Sequence, residues 1–301
     1  MDTAGNRLRA AWAGGAIAMP GVFNALAARM AERLGFRAIY LSGGALSAGW
    51  AGLPDIGLLT LTEFAEQAAI IARSATIPLL CDADTGFGEA INVERTVTLY
   101  EAAGAAGLHL EDQVLPKRCG HLTGKSVIDA SAMAAKIRAA VAARRDPGFV
   151  IVARTDARSV EGFDAAVDRA RAYLDAGADM IFPEAMESAE EFARFASAVP
   201  APLIANMTEF GRGPLLSVDE LGAMGYRIAL FPLTAFRAAM KAAEETLRVL
   251  RDQGTQRGLL DRMQSRAELY EILGYADWEA RDRSYFGGPG SAGGPDAGAA
   301  G

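Results

Sequence analysis

Cysteine is scarce in this chain, with two in 301 residues, and histidine equally so. Cys81 stands in an apolar run and Cys119 in a polar, basic loop, so no disulfide framework is expected. The expected compartment is a reducing one, the cytoplasm. Long apolar runs are missing as well. The stretch 10–19 is too short to cross a bilayer and lacks the basic leader and cleavage pattern of a secretory signal, so it reads as leading into a first buried strand. Positive charge is not in excess, since 30 Lys and Arg face 37 Asp and Glu, interspersed, for a net charge of −7. That balance argues against nucleic acid or an anionic membrane as the main partner and favours a small molecule. Glycine-rich dinucleotide and phosphate-loop motifs do not occur, although glycine itself is abundant.

What is present is apolar and periodic. At 51% hydrophobic residues the chain can bury a large core. Eight short runs of strand length stand at 16–19, 38–41, 78–82, 108–111, 149–154, 180–183, 202–206 and 228–231. Between most of them, segments such as 93–103, 130–143, 163–176 and 217–224 carry apolar residues at three- and four-residue spacing and read as helices. Gly35, Gly104, Gly177 and Gly225 each follow a helical pattern, as left-handed caps would, and Pro78, Pro147 and Pro202 mark three strand entries. Strands buried on both faces and alternating with helices imply a parallel sheet, and eight of them favour closure into a TIM-type (β/α)8 barrel over an open doubly wound sheet. A helical pattern over 235–253, continued by further helical segments to Tyr285, exceeds what one barrel helix needs, so packing on a neighbouring subunit is expected. The chain is expected to form one barrel domain over 1–286, including these helices, with a disordered Gly/Ala/Pro tail at 287–301.

In such a barrel the residues at the carboxyl ends of strands line the active site. Asp82, Asp84, Glu111 and Glu184 bring carboxylates from three strands to one end. A hard divalent cation, Mg²⁺ or Mn²⁺, held by oxygen ligands and water would resolve their repulsion; pairing with Arg154, Arg237 or Lys117 is the alternative. Arg154 and Arg237 also suit a substrate that carries carboxylates, because the guanidinium fork clamps them bidentately. Ser42-Gly43-Gly44 either offers approachable backbone donors or is an ordinary strand-to-helix connection. In the loop Lys117-Arg118-Cys119-Gly120-His121 a thiol sits between cations and beside a histidine, placed to exchange a proton or attack an electrophile. Cys81 reads as a small core residue.

From about Val22 to Tyr275 the chain resembles the isocitrate lyase and phosphoenolpyruvate mutase superfamily, and within it the 2-methylisocitrate lyases. The segments that carry the resemblance are Tyr40-Leu41-Ser42-Gly43-Gly44, Asp82-Ala83-Asp84-Thr85-Gly86-Phe87-Gly88, the Lys117–His121 loop, Ala153-Arg154-Thr155-Asp156, Phe182-Pro183-Glu184-Ala185 and Asn206-Met207-Thr208-Glu209-Phe210-Gly211. The resemblance implies that Asp82 and Asp84, with Glu111 near them, serve magnesium, and that Ser42, Gly43 and Gly44 hold substrate. It places Cys119 and Gly120 in a catalytic loop and gives Arg154, Glu184, Asn206, Thr208, Arg237 and Arg266 substrate-binding positions. It implies cleavage of the tricarboxylate 2-methylisocitrate to pyruvate and succinate in propionate breakdown. It further implies homotetramers that exchange C-terminal helices.

The chemistry implied is of the retro-aldol type. Cys119, beside His121, is the candidate acid for the succinate-forming carbanion, and Tyr40 is the candidate hydroxyl base, with substrate packing as its other reading. Phe182 and Leu230 match positions lining a niche for the substrate methyl. Cleavage of dimethylmalate or isocitrate, hydrolysis of oxaloacetate, a phosphonopyruvate-type rearrangement and a catalytically silent scaffold barrel are the competing readings.

Overall fold

Short runs of branched and apolar residues, buried on both faces, give eight parallel strands in the computed structural model, which describes residues 2–118, 120 and 124–286. In chain order the elements are α1 (Ala4–Ala13), β1 (Ile17–Val22), α2 (Ala25–Arg33), β2 (Ile39–Leu41), α3 (Gly43–Ala51), α4 (Leu61–Ser74), β3 (Leu79–Asp82) and α5 (Ala90–Ala102). They continue as β4 (Gly107–Glu111), α6 (Ala130–Ala143), β5 (Val150–Thr155), α7 (Phe163–Asp175), β6 (Met180–Pro183), α8 (Ala189–Ala198), β7 (Ile204–Asn206), α9 (Val218–Ala223) and β8 (Ile228–Phe231). The last helices are α10 (Thr234–Gln253), α11 (Arg266–Leu273) and α12 (Tyr275–Tyr285), with short 3₁₀ turns at Ala157–Ser159 and Arg257–Arg262.

Strands β1 to β6 pair in order, β1 also pairs with β8, and β8 with β7. A parallel bridge between Ile181 and Leu203 joins β6 to β7, so the sheet closes and the open-sheet alternative falls away. Alternation sorts the core into two shells. Tyr40, Leu80, Val150, Val152, Met180, Phe182, Ile204, Ile228 and Leu230 fill the barrel, while Ile39, Leu41, Leu79, Cys81, Ile151 and Ile181 pack outward under the helices. Each fully buried leucine, isoleucine or phenylalanine contributes about 1.5–3 kcal/mol. The four cap glycines adopt the expected left-handed conformation, with φ of 84°, 88°, 102° and 104° at Gly35, Gly104, Gly177 and Gly225.

One local feature differs from the sequence expectation. Residues 10–13 end a helix, α1, whose Leu8, Ala11 and Trp12 are buried with the inner barrel residues. Ser42-Gly43-Gly44 is a strand-to-helix connection, one of its two readings: Ser42 caps α3, accepting from Ala45 N at 3.3 Å, and Gly43 begins that helix.

The chain divides into two compact units with the boundary between Arg248 and Val249, and the whole barrel lies in the first. In the second, a capping box of Ser265 and Glu268 starts α11, Gly274 at φ 65° ends it, and Tyr270 stacks on Tyr275 at 4.6 Å. The tail expected at 287–301 lies outside the described residues. Among the described residues no helix is long and apolar enough to cross a membrane.

Candidate active site

The inward alternation of each strand ends on a polar or shaping residue. Leu80 is followed inward by Asp82, Val152 by Arg154, Met180 by Phe182, Ile204 by Asn206 and Ile228 by Leu230. Together with Ser42, Gly44, Asp55, Glu111, Lys117 and Thr208, they line a cleft at the carboxyl ends of the strands.

One wall is acidic. Asp82 accepts from Gly43 N and Asp84 N, each at 3.0 Å, and lies 3.2 Å from the Tyr40 hydroxyl and 3.3 Å from His109 Nε2. Gly43 is required here, because a Cβ would stand 2.7 Å from Asp82 Oδ2. Burial opposes ionisation of Asp82, but His109, Lys117 and the Asp84 N–H outweigh it and hold its pKa down at about 2. Burial pulls the His109 imidazole down to about 4 against the attraction of Asp82, so the ring is neutral at physiological pH. Burial and the Asp82 charge push the Tyr40 phenol well up, which keeps it protonated. Its hydroxyl donates to Asp82 Oδ2 and stands 2.7 Å from His109 Nε2, in a bond whose direction is set by the imidazole tautomer.

Asp84 is 2.7 Å from Lys117 Nζ, which pairs on its other side with Asp55. Burial pushes Asp84 up to about 7 despite Lys117, with Asp82 and Asp55 adding to the rise. Backbone geometry adds strain, since Asp84 has φ 45°, at a cost of about 1–3 kcal/mol.

The opposite wall is built around Arg154. Its Nε and Nη2 donate to Asp156 at 3.0 and 3.3 Å, its Nη1 lies 3.4 Å from Glu184, and its Nε lies 3.3 Å from Glu111. Its guanidinium also stands 5.1 Å from the Phe182 ring centroid. Asn206 Nδ2 donates to Glu184 at 3.2 Å. Asp156 is held from behind, its N–H donating to Asp112 Oδ1 at 2.8 Å and its carboxylate accepting from Lys125 at 2.6 Å. Lys125 also donates to the Gly120 carbonyl. A Cβ at Gly120 would lie 2.6 Å from Arg154 Nη2, so only glycine lets that backbone approach the clamp.

Among the described residues no three of His, Cys, Asp and Glu converge as a ready metal cage. Asp82 and Asp84 nonetheless fit a hard cation that keeps its waters and takes one or two protein carboxylates, as Mg²⁺ does. Close by, Glu111 Oε1 is buried without a hydrogen-bond partner among the described residues.

The family model described as phosphoenolpyruvate phosphomutase matches residues 8–251. The chain belongs to this family. Among its phosphomutase-family relatives, the 2-methylisocitrate lyase of Aeropyrum pernix is 55% identical over 266 residues, covering 88% of this chain and 85% of that protein. The 2-methylisocitrate lyase of Escherichia coli is 51% identical over 267 residues, covering 88% and 90%. A solved oxaloacetate acetylhydrolase in complex with 3,3-difluorooxalacetate superposes with a TM-score of 0.89 at 39% identity, covering 95% of this chain and 98% of that one. A phosphonopyruvate hydrolase in complex with oxalate and Mg²⁺ gives a TM-score of 0.85 at 34% identity, covering 94% and 99%.

Within this phosphomutase-family barrel, Tyr40, Ser42, Gly44, Asp82, Glu111, Gly120, Arg154, Phe182, Asn206, Thr208 and Leu230 share the cleft lining. Gly43, Asp84 and Glu184 reach it through the contacts above. Arg237 stands in α10 and donates to the Glu209 carbonyl at 3.0 Å, so in this structure it braces the segment after β7. Arg266 is the first residue of α11, in the second unit. Cys119 and His121 lie outside the described residues. Of the carboxylates expected to need a metal, three already meet cations, Asp84 at Lys117 and Glu111 and Glu184 at Arg154. Sequence reasoning gave no role to His109 or Asp156, although both stand at strand ends, and missed the support given by Asp55 and Lys125. For His109 a signal existed, since it alternates with Gly107 and Glu111 on β4.

Proposed function

We propose that this chain is a magnesium-dependent carbon–carbon lyase that cleaves 2-methylisocitrate to pyruvate and succinate. The observation that carries this reading is the meeting of an acidic wall, Asp82 and Asp84, with a cationic clamp, Arg154, across one cleft in a phosphomutase-family barrel 55% identical to a 2-methylisocitrate lyase.

Arg154 offers a planar fork to a substrate carboxylate, and Asn206 with Thr208 offers further hydrogen bonds on the same side. Ser42 and Gly44 hold the other end at the start of α3, where the Gly44 N–H stands between the Gly43 and Ala45 N–H groups already held by Asp82 and Ser42, and the positive end of the helix favours an anion. Asp82 and Asp84, with Glu111 close by, would hold Mg²⁺, or Mn²⁺ through the same oxygen donors; when bound the cation supplies positive charge to the pyruvate-forming half. The substrate hydroxyl gives its proton to Tyr40 Oη as the tyrosine's own proton passes to His109 Nε2, which requires the Nδ1–H tautomer. The carbon–carbon bond then breaks, its electron pair staying on the carbon beside the succinate carboxylate. Cys119, which stands in the sequence between the cleft residues Arg118 and Gly120, gives that carbon a proton, and His121, two residues along the chain, would return a proton to the thiol.

The same reading extends to assembly and place. Leu247, Leu250, Trp278 and Tyr285 are exposed on helices α10 and α12, which bury no residue of their own. They are offered to a second copy, in a homotetramer that exchanges these helices, and the enzyme works in the cytoplasm on a free tricarboxylate.

The test is product release by the purified chain with Mg²⁺: pyruvate from 2-methylisocitrate, 2,3-dimethylmalate and phosphonopyruvate, glyoxylate from isocitrate, and oxalate from oxaloacetate. Release from 2-methylisocitrate above the others is expected. Activity confined to phosphonopyruvate would overturn the reading.

A further inference from the structure

The turn after β3 is held in a conformation that its sequence alone resists. Asp84 and Phe87 have φ of 45° and 58°, and Gly86 and Gly88 have 92° and 144°. Non-glycine residues stay in the left-handed region only where their surroundings over-determine them. Two helices provide those surroundings. From α5, Thr96 Oγ1 shares its proton between the Gly86 carbonyl at 3.1 Å and the Asn92 carbonyl of its own helix at 3.0 Å. From α6, Lys136 Nζ donates to the Thr85 carbonyl at 3.0 Å.

Lys136 is an unusual choice for that place. It is only 7% exposed, and the other buried residues of α6 are Met133, Ala134, Ile137 and Ala140. Its ammonium makes no ion pair among the described residues, with the Thr85 carbonyl as its acceptor. A methionine would fill the same volume without bringing a charge out of water. The Glu89 carboxylate attracts the ammonium from a distance, and the bond to Thr85 is its direct contact. Thr85 follows Asp84 directly, so holding the Thr85 carbonyl limits how far the turn can rotate and thereby keeps the Asp84 carboxylate directed toward Lys117.

We propose that Lys136, assisted by Thr96, is a positioning residue that aims the Asp84 carboxylate for cation binding. The proposal rests on the reading that Asp82 and Asp84 hold Mg²⁺. Lys136 touches neither substrate nor cation; it acts from the far side of the turn, through one backbone carbonyl. The preference for lysine over a shorter donor follows from the span, because the turn is reached from the middle of α6.

The test is calorimetric titration of Mg²⁺ into the substrate-free full chain, for wild type, Lys136→Met, Lys136→Arg and Thr96→Val, with thermal melts alongside. Lys136→Met is expected to weaken Mg²⁺ affinity about 10-fold, in the range seen when groups supporting metal ligands are removed, with Tm shifted by only about 2–4 °C. Lys136→Arg restores most of the affinity because it keeps a donor on a long stem, and Thr96→Val shows a smaller loss of the same sign. In steady-state assays the half-saturating Mg²⁺ concentration rises in Lys136→Met, while kcat at saturating Mg²⁺ holds. Unchanged Mg²⁺ affinity in Lys136→Met, even with a lowered Tm, overturns the proposal and leaves Lys136 a packing residue. Absence of Mg²⁺ binding by the wild type overturns the cation reading and this proposal with it. Should Lys136→Met fail to fold, Thr96→Val carries the same comparison, and unchanged affinity there overturns the proposal.

Discussion

The Tyr40 hydroxyl lies 2.7 Å from His109 Nε2 and 3.2 Å from Asp82 Oδ2, with all three side chains buried. A phenol pushed well above its ordinary pKa is a poor base alone, but beside a neutral imidazole it can accept a proton and pass its own on. Tyr40→Phe is therefore expected to lower kcat by about 10²- to 10⁴-fold, the usual worth of a positioned proton-transfer group. Mg²⁺ affinity, read by calorimetry, should stay near that of wild type. A variant that keeps more than a tenth of kcat removes Tyr40 from the proton path.

Arg154 is held by Asp156 through two donors and reaches Glu184 with a third nitrogen. Lysine keeps the charge but loses the fork, and it leaves Asp156 and Glu184 short of partners in the interior. Arg154→Lys is expected to lower kcat/KM by about 10²-fold or more, with a raised KM. The melting temperature should fall as well, because losing part of a buried ionic network costs stability. An unchanged KM would show that the guanidinium does not meet the substrate.

Cys81 is fully buried on the outward face of β3, and burial, with Asp82 adding, pushes its thiol well above the usual range. In a Cys119→Ser background the folded chain should react with a disulfide reagent at least about a hundredfold more slowly than the unfolded chain. Raising the pH to about 9 should not close the gap, since a thiol with a raised pKa stays protonated there. Rapid labelling of the native protein would contradict the packing described for β3.

Much of the barrel is legible in the sequence because its short apolar runs and its helical periodicity are written there. Runs 180–183 and 228–231 are the strands β6 and β8 residue for residue, and 130–143 is helix α6. The strand-end rule then finds Asp82, Arg154, Asn206 and Leu230, each the last inward position before a loop. Three features escape the same reading. Helix α1 ends in Ala10-Ala11-Trp12-Ala13, a run apolar enough to pass for the approach to β1. Gly43-Gly44 has poor helix propensity, and only the Ser42 cap and the Asp82 carboxylate make it a helix start. The pairing of Lys117 with Asp55, and of Lys125 with Asp156, joins residues 62 and 31 positions apart. No local pattern encodes which cation meets which carboxylate at such a separation.

Leu230 and Phe182, both 1% exposed, line the cleft from β8 and β6. Isocitrate and 2-methylisocitrate carry the same three carboxylates, so Arg154 cannot distinguish them. They differ by one methyl on the carbinol carbon, and an apolar side chain facing it gains by removing it from water. Filling such a niche is worth about 1–3 kcal/mol, or about 10- to 200-fold in kcat/KM. The wild-type chain is therefore expected to prefer 2-methylisocitrate by about that factor. Leu230→Thr should narrow the preference, because threonine removes apolar contact and places a hydroxyl where the methyl would be buried. The change should appear in kcat/KM for 2-methylisocitrate rather than for isocitrate, whose smaller carbinol carbon leaves the niche unfilled in either variant. Side-by-side kinetics on the two acids decide it: equal kcat/KM in the wild type removes the methyl niche from Leu230 and Phe182 and leaves the lyase chemistry of the Asp82–Arg154 cleft intact.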